Sequence, residues 1–294
     1  MPNSIQEMFK LVDYVARRIF SRANGFVNKN SVYAYWYEAE RNFGDLLNPM
    51  LLKHYGLTPI KTIGSNCEVV MVGSILDNLS AEFSGTILGS GLMYEKPCHF
   101  PKAKILGVRG KLTHELIGAP KNAIVGDPGL LISNFYSRSI GKKYILGLIP
   151  HYRDKSDIRL LKIKNRYKNE VMIIDVQDDI EKVIEKINLC QFILSSALHG
   201  LVAADSLGIP NGWISLSTTV KGSGFKFRDY ASAIDRTIYP NEIDGSDTLI
   251  QLCNLCIKPE NIVNDIKFDL NAVFERFSKE ILDQRRIQFD KQRN

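Results

Sequence analysis

Apolar runs of strand length alternate with helical patterns along most of the chain. Eight such runs occupy residues 31–37, 68–73, 86–89, 104–108, 144–150, 171–176, 192–196 and 213–217. Strands that alternate with helices are typical of βαβ units and parallel sheets. A basic, polar break at residues 137–143 separates the first four runs from the last four. The pattern therefore predicts an α/β protein with two Rossmann-like domains.

This pattern also predicts where the domains lie. We expect an N-terminal Rossmann-like domain over residues 1–136 and a C-terminal one over residues 137–240. Residues 241–294 form a helical segment that packs back across the molecule, because apolar side chains recur there at helical spacing. These side chains are Leu270, Val273, Phe274, Phe277 and Ile281. Ligands of open parallel sheets bind beyond the carboxyl ends of the strands, so the two domains are expected to face each other across a cleft.

Composition excludes several classes of protein. Hydrophobic residues make up 45% and charged residues 24% of the 294 positions, as in ordinary globular proteins. No stretch approaches the ~20 apolar residues of a membrane span, and the N-terminus lacks the pattern of a secretory signal, so we predict a cytoplasmic protein. Five cysteines, an odd number, indicate reduced thiols rather than disulfides. The net charge of +6 is modest and predicts no nucleic-acid partner.

The N-terminal residues 8–22 form an amphipathic pattern. Phe9, Val12, Ile19 and Phe20 fall on one helical face, with arginines nearby. Such a helix can lie on an anionic membrane surface, which would make the protein peripheral at the cytoplasmic membrane. It can equally pack on its own domain, and both interpretations stay open.

A histidine follows the predicted strand at residues 192–196. The chain must turn there into an alanine-rich helix, and we expect Ser195 or Ser196 to cap that helix. Free amide groups and the helix dipole favour an anion at this point. His199 adds a hydrogen-bond donor that can carry a charge, which indicates a functional site. The alternative is a first-turn histidine that only packs.

Other strand ends also carry polar side chains. His151 and Arg153 follow the run at residues 144–150, and the planar arginine fork suits a carboxylate or a phosphate. Asp45 lies near a helix start after the run at residues 31–37, where a carboxylate is either a cap or a base that faces the cleft. The alternative for His151 and Arg153 is a charged surface turn.

A basic loop follows the last predicted strand. It contains Lys221, Lys226 and Arg228, and three cations beside His199 would attract an anion. A glycine pair at residues 89–91 does not match the dinucleotide-binding fingerprint, so a dinucleotide site is not expected.

The motifs "NFGDLL", "VGS", "GVRG", "GDPG", "IPHYRD" and "SSALHGLVAADSLGIP" resemble, in this order, the polysaccharide pyruvyl transferase family. The resemblance runs from Tyr33 to Tyr230. It implies a two-domain fold like that of GT-B glycosyltransferases, phosphoenolpyruvate as the donor, and no metal or cofactor. It also implies transfer of a pyruvate ketal to two hydroxyls of a sugar. That sugar would belong to a surface polysaccharide, such as an exopolysaccharide or capsule, or to its lipid-linked precursor.

The resemblance also suggests roles for the residues found above. The first domain would bind the acceptor and the second the donor. Candidate catalytic residues are His199, Asp45 and His151. Candidate donor-binding residues are Ser195, Ser196, Gly200, Arg153, Lys221 and Arg228. One position departs from the family pattern, because many members have an arginine directly before the Leu-His pair and this chain has Ala197 there. Either another cation replaces that arginine or the donor is different.

Two other functions fit the same fold. The first is a GT-B glycosyltransferase that uses a nucleotide sugar, with Asp205 near the position where such enzymes often carry a ribose-binding glutamate. The second is a non-catalytic carbohydrate-binding protein. A cleft rich in cations suits an anionic donor better than a neutral glycan, which disfavours this second function. The sequence does not identify the acceptor sugar or the hydroxyl pair.

Overall fold

A computed structural model describes residues 29–136, 141–217, 222 and 224–291. Its first sheet has six parallel strands in the order β2-β1-β3-β4-β5-β6. These strands are β1 (Ser31–Tyr35), β2 (Thr58–Lys61), β3 (Val69–Val70), β4 (Thr86–Leu88), β5 (Lys104–Val108) and β6 (Ile124–Val125). The strands are short, and β1, β3 and β4 at the centre of the sheet are mostly buried, as expected for a sheet covered on both faces.

A second parallel sheet uses the later part of the chain, with strand order β11-β10-β9-β7-β8. Its strands are β7 (Tyr144–Ile149), β8 (Val171–Ile173), β9 (Cys190–Ser195), β10 (Asn211–Ser215) and β11 (Asn241–Glu242). Strand order reverses between β7 and β9, which neighbour each other although β8 lies between them in sequence. Such a reversal leaves a crevice at the carboxyl ends of the strands.

Helices connect the strands, as the alternating pattern predicted. They are α1 (Phe43–His54), α2 (Lys111–Ile117), α3 (Ile132–Phe135), α4 (Ile158–Arg166), α5 (Ile180–Asn188), α6 (Leu198–Ser206), α7 (Phe225–Ala233), α8 (Leu249–Asn254) and α9 (Ile262–Lys291). None of these described helices is both long and apolar enough to cross a membrane.

All eight predicted strands are present, and the predicted fold class of two Rossmann-like sheets is confirmed. Three strands were not predicted from the sequence, namely β2, β6 and β11. Each has only two to four residues, and β2 and β11 are half-exposed edge strands with polar residues. Such short segments have no hydrophobic period to detect.

The two sheets share a hydrophobic core. Leu47 and Leu51 of α1 belong to the same buried cluster as Ile187 of α5 and Leu201 of α6. Helices from both halves therefore pack directly on one another. A further link is the Phe43 amide, which donates to the Val176 carbonyl at 2.7 Å. This packing fixes the amino-terminal ends of α1 and α6 close together.

The long helix α9 lies along the first half of the molecule. Its five predicted apolar side chains, Leu270 to Ile281, are all buried. Tyr55 donates to Asn271 at 2.7 Å, and Arg285 donates to the Ser31 carbonyl at 3.0 Å. The residues before α9 differ from the expected helical segment, because residues 241 and 242 form the edge strand of the second sheet.

Two predictions fall partly outside the described residues. The domain boundary at residue 137 adjoins residues 137–140, which the structure does not describe, so it stays a prediction. The amphipathic segment at residues 8–22 also lies outside the described part of the chain.

Candidate active site

The amino-terminal ends of α1 and α6 line one cleft of about 280 Å³ between the two sheets. Its lining includes seven residues named in the sequence analysis, namely Asp45, His151, Arg153, Ala197, His199, Gly200 and Lys226. The loops after β1, β3, β7 and β9 also contribute, as expected for a ligand site at the carboxyl ends of parallel strands. The fold thus brings residues more than 150 positions apart into one concave site.

His199 lies in the first turn of α6, between the two halves of the molecule. Its side chain is 13% exposed, and its Nε2 lies 3.6 Å from Oδ2 of Asp127, which is fully buried. The opposite edge of the ring lies against Gly44 in the first turn of α1. A Cβ atom built on Gly44 would stand 2.0 Å from Nδ1 of His199, so only glycine leaves room for this imidazole. The ring is therefore clamped between α1 and the loop after β6.

Asp45 is held at the cleft floor by the local structure of α1. Asn42 donates to its Oδ2 at 3.0 Å. Pro49 lacks the amide hydrogen that would bond the Asp45 carbonyl, and Asn48 Nδ2 donates to this carbonyl instead, at 3.1 Å. The same Asn48 amide pairs with the backbone of Val72 at the end of β3. Helix α1 is thereby pinned to the first sheet with Asp45 facing the cleft.

The environment of Asp45 suits a proton acceptor. Burial raises the pKa of its carboxyl above the ordinary value, while the Asn42 hydrogen bond and the nearby His199 and Lys226 lower it. A carboxylate with a raised pKa is a stronger base than an exposed one. The sequence left open whether Asp45 is a cap or a base. Asn42 is the N-cap of α1, and no side chain makes a capping hydrogen bond there.

His151 and Arg153 both line the cleft but differ in burial. The His151 amide donates to Ser196 Oγ at 2.8 Å, and its ring packs against Tyr152. Burial, with the charge of Lys226, lowers the pKa of His151 to about 4, so the neutral ring prevails at pH 7. Arg153 is exposed at the rim, where its Nε donates to Tyr152 Oη at 3.3 Å. Its guanidinium group is thus available at the mouth of the cleft.

The predicted serine cap of α6 is wrong. Ala197 is the N-cap, and no side chain caps the helix. Both serine hydroxyls point inward instead. Ser195 Oγ accepts from the Ala197 amide at 3.0 Å, and Ser196 Oγ donates to buried Asp154 at 3.2 Å. Their hydroxyls therefore form hydrogen bonds at the end of the second sheet. In the first turn of α6, the Gly200 amide donates to the Ala197 carbonyl at 3.1 Å. The amides of Leu198 and His199 have no hydrogen-bond partner among the described residues and can bind an anion.

The three cations of the basic loop have different positions. Lys221 lies outside the described residues. Arg228 points to the surface and pairs with Glu95 at 3.1 Å. Lys226 lines the cleft, and no described carboxylate forms an ion pair with it. Burial and the charge of Arg109 lower the pKa of Lys226 to about 8, although Asp45 and Asp154 act in the opposite direction.

Lys226 was named in the basic loop but not selected as a site residue, because the sequence does not show which way α7 faces. That direction is set by the buried ion pair between Arg109 and Asp229. Nη2 of Arg109 and Oδ2 of Asp229 are 2.8 Å apart, and neither side chain is exposed. Asp229 also accepts from the Thr113 amide at 2.7 Å in the first turn of α2. Helix α7 is thus tied to the first half of the molecule while it carries Lys226 into the cleft.

Asp205, the residue that supported a nucleotide-sugar donor, does not face the cleft. It is 1% exposed and pairs with Arg236 at 2.8 Å, with Asn211 and Tyr230 as further donors. The residue-level support for that alternative is therefore lost. Among the described residues, no group of His, Cys, Asp and Glu side chains could hold a metal ion, and the expectation of a metal-free reaction stays a prediction.

Comparisons with known proteins agree with the motifs. The model of the polysaccharide pyruvyl transferase family matches residues 14–218. The chain is 30% identical to uncharacterized protein L143 of Acanthamoeba polyphaga mimivirus over 72% of this chain and 78% of that protein. It is 28% identical to the succinoglycan biosynthesis protein ExoV of Rhizobium meliloti (strain 1021), over 72% and 67%.

A structural comparison pairs the chain with the wall teichoic acid polymerase TagF, with a TM-score of 0.42 and 10% identity over 98% of both chains. This distant match adds nothing to the description of the fold, which rests on the two sheets. The family match, in contrast, spans β1 to β10 and includes Asp45, His151 and His199 of the cleft. The chain belongs to the polysaccharide pyruvyl transferase family.

Proposed function

We propose that this protein transfers a pyruvyl group from phosphoenolpyruvate to two hydroxyls of a sugar, in a polysaccharide or its lipid-linked precursor. One observation carries the proposal. The uncapped end of α6 and the amino group of Lys226 enter the same cleft as His199 and Asp45. This arrangement offers anion-binding groups beside an acid and a base. The relative named for succinoglycan biosynthesis supports a polysaccharide as the acceptor.

The donor is a compact anion with a phosphate and a carboxylate. We assign one of these groups to the amides of Leu198 and His199 in the first turn of α6, and the other to Lys226. An anion in a partly desolvated cleft needs such a nearby cation. Lys226 would then supply the charge that many family members place at the position of Ala197. Arg153 at the rim adds a second cation, which can guide the donor into the cleft or hold its outer group.

The reaction needs one proton on the methylene carbon of the donor and one on the leaving phosphate. Each attacking hydroxyl releases one proton as its oxygen bonds to the central carbon. Two carbon–oxygen bonds form, the bond to the phosphate oxygen breaks, and the methylene becomes a methyl group. The two hydroxyl protons thus balance the methyl group and the protonated phosphate, and no oxidant or reductant is required.

We assign proton delivery to His199 and proton acceptance to Asp45. The two side chains face the same cleft from opposite halves, and the charge of His199 is one of the influences that lower the pKa of Asp45. His151 is a weaker candidate acid, because a pKa of about 4 leaves few protonated rings at neutral pH. A bound phosphate would raise that pKa. Until then the neutral His151 ring serves as a hydrogen-bonding group.

The acceptor belongs on the wall formed by the first half. Tyr37 and Tyr94 line this wall and are 43% and 47% exposed. Their rings offer flat apolar surfaces to the face of a sugar, and Glu40 and Asn78 on the same wall can bond its hydroxyls. If the acceptor is lipid-linked, residues 8–22 would hold the protein at the membrane. Deletion of residues 1–22 should then weaken vesicle binding at low salt but preserve turnover of a soluble acceptor.

Purified protein can be tested with phosphoenolpyruvate and saccharide acceptors. Release of phosphate together with a new ketal methyl signal in NMR spectra would support the proposal. His199→Ala should fold normally and lose at least ~100-fold in turnover. A thermal-shift comparison adds the donor test, since only a ligand of the native state raises apparent stability. Stabilisation by a nucleotide sugar but not by phosphoenolpyruvate would contradict the proposed donor.

A further inference from the structure

We infer that Asp127 is a positioning residue that fixes the proton of His199 on Nε2 and leaves Nδ1 to act on the substrate. The inference rests on the proposed function only for the role of His199 in turnover. In the sequence, Asp127 stands out only as part of the motif "GDPG". The structure places its carboxylate directly behind the catalytic candidate.

The two oxygens of Asp127 have separate surroundings. Oδ1 accepts from the Gly129 amide at 2.8 Å and caps a short turn at Pro128–Leu131. Oδ2 is buried and has no hydrogen-bond partner among the described residues, and the same is true of His199 Nε2. These two atoms face each other at 3.6 Å. The turn therefore needs only Oδ1, and Oδ2 is directed at the histidine.

A buried polar atom without a partner costs free energy, so two such atoms that face each other are expected to form a pair. Their separation slightly exceeds that of a hydrogen bond, and hydrogen bonds between catalytic groups commonly shorten when substrate binds. The pair is attractive only when Nε2 carries a proton, because a nitrogen lone pair would repel the carboxylate. Both the neutral and the charged ring therefore keep a proton on Nε2.

The working atom of His199 is then Nδ1. This atom lies against Gly44, which lines the cleft, whereas Nε2 is buried. The neutral ring presents the lone pair of Nδ1 to the cleft, and the charged ring presents a proton there. In other Asp-His pairs, too, the carboxylate bonds to one ring nitrogen and sets the tautomer, and the other nitrogen acts on the substrate.

The test is Asp127→Asn, which keeps an acceptor for the Gly129 amide and replaces Oδ2 by an NH₂ group. That group donates to Nε2, so the neutral ring should move its proton to Nδ1. NMR spectra that correlate ring protons with ring nitrogens distinguish the two tautomers, and the His199→Ala spectrum assigns the signals. We expect the Nε2–H form in the parent and the Nδ1–H form in the variant. The same tautomer in both proteins would overturn the inference.

Kinetics provide the second measurement. Asp127→Asn should lower kcat by roughly 10²- to 10⁴-fold while the KM for phosphoenolpyruvate changes little, because the ring stays in place with the wrong tautomer. Asp205→Asn is the matched control, since Asp205 is an equally buried carboxylate outside the cleft. It should destabilise the protein without changing the His199 tautomer or kcat. An unchanged kcat in Asp127→Asn would also overturn the inference. The NMR result needs no turnover, so it stands apart from a failure of the proposed reaction.

Discussion

Gly44→Ala is the smallest change that tests the site. The added Cβ would lie 2.0 Å from Nδ1 of His199, 2.6 Å from Cε1 and 2.7 Å from Cγ. An ordinary contact begins near 3.4 Å, so the imidazole must move by about 1.4 Å. Asp127 stands 3.6 Å away on the other side of the ring, which leaves little room for a retreat in that direction. The ring must therefore rotate out of its place.

A misplacement of ~1 Å in a catalytic group can cost roughly 100-fold in rate, or about 2.7 kcal/mol of transition-state stabilisation. We expect a loss of this size in kcat for Gly44→Ala. Gly44 is helical, so alanine suits the backbone and gains up to ~1 kcal/mol of helix propensity. Crowding costs about 1–3 kcal/mol. The net loss in the free energy of unfolding should therefore not exceed about 3 kcal/mol.

The assay is initial-rate release of phosphate with varied donor and acceptor, together with thermal unfolding of the same samples. Gly141→Ala serves as the control, because a Cβ there would meet no atom of the described residues within 4 Å. The control should keep the parent values of kcat and Tm. If Gly44→Ala turns over at the parent rate while it remains folded, the imidazole clamped against α1 is not the catalytic group, and the reasoning fails.

Three further predictions follow. Lys226→Met should raise the KM for the donor more than Arg153→Ala does, because Lys226 lies inside the cleft and Arg153 lies at its rim. The reverse order in steady-state kinetics would make Arg153 the main cation. Donor affinity should weaken as pH rises through about 8, because the lowered pKa of Lys226 removes its charge there, and Lys226→Arg should abolish this limb in binding titrations. Arg109→Ala should lower stability in urea by about 3–5 kcal/mol, since it leaves the buried Asp229 carboxylate unpaired; an unchanged midpoint would contradict this.

The sheets were predictable because their strands are apolar and regularly spaced. Residues at the ends of those strands, such as Asp45, His151 and His199, were predictable for the same reason, since the carboxyl ends of parallel strands converge. The serine cap failed because capping depends on the direction of single side chains. Ser195 and Ser196 bond to the backbone and to Asp154, and neither reaches the first turn of α6.

Asp127 and Lys226 could not be selected from local sequence. Asp127 follows a strand of two residues, and its partner His199 is far away in the chain. Lys226 enters the cleft because Asp229, three positions later, bonds to Arg109 of the first sheet. Such long-range contacts decide which member of a basic loop faces a site. Composition and periodicity carry no signal for that choice.

Many family members have an arginine at the position of Ala197, and we propose that Lys226 on α7 supplies the positive charge in this chain. The two side chains differ in how they can hold an anion. Ala197 is the N-cap of α6, so an arginine at that position would extend from the same turn whose amides we propose as the anion site. Lys226 instead approaches from α7, which the Arg109–Asp229 pair ties to the first half. A lysine is a point charge, whereas an arginine holds an oxyanion with two parallel hydrogen bonds. In the proposed site, donor orientation would therefore depend more on the helix amides and on His199, whose ring is held between Gly44 and Asp127.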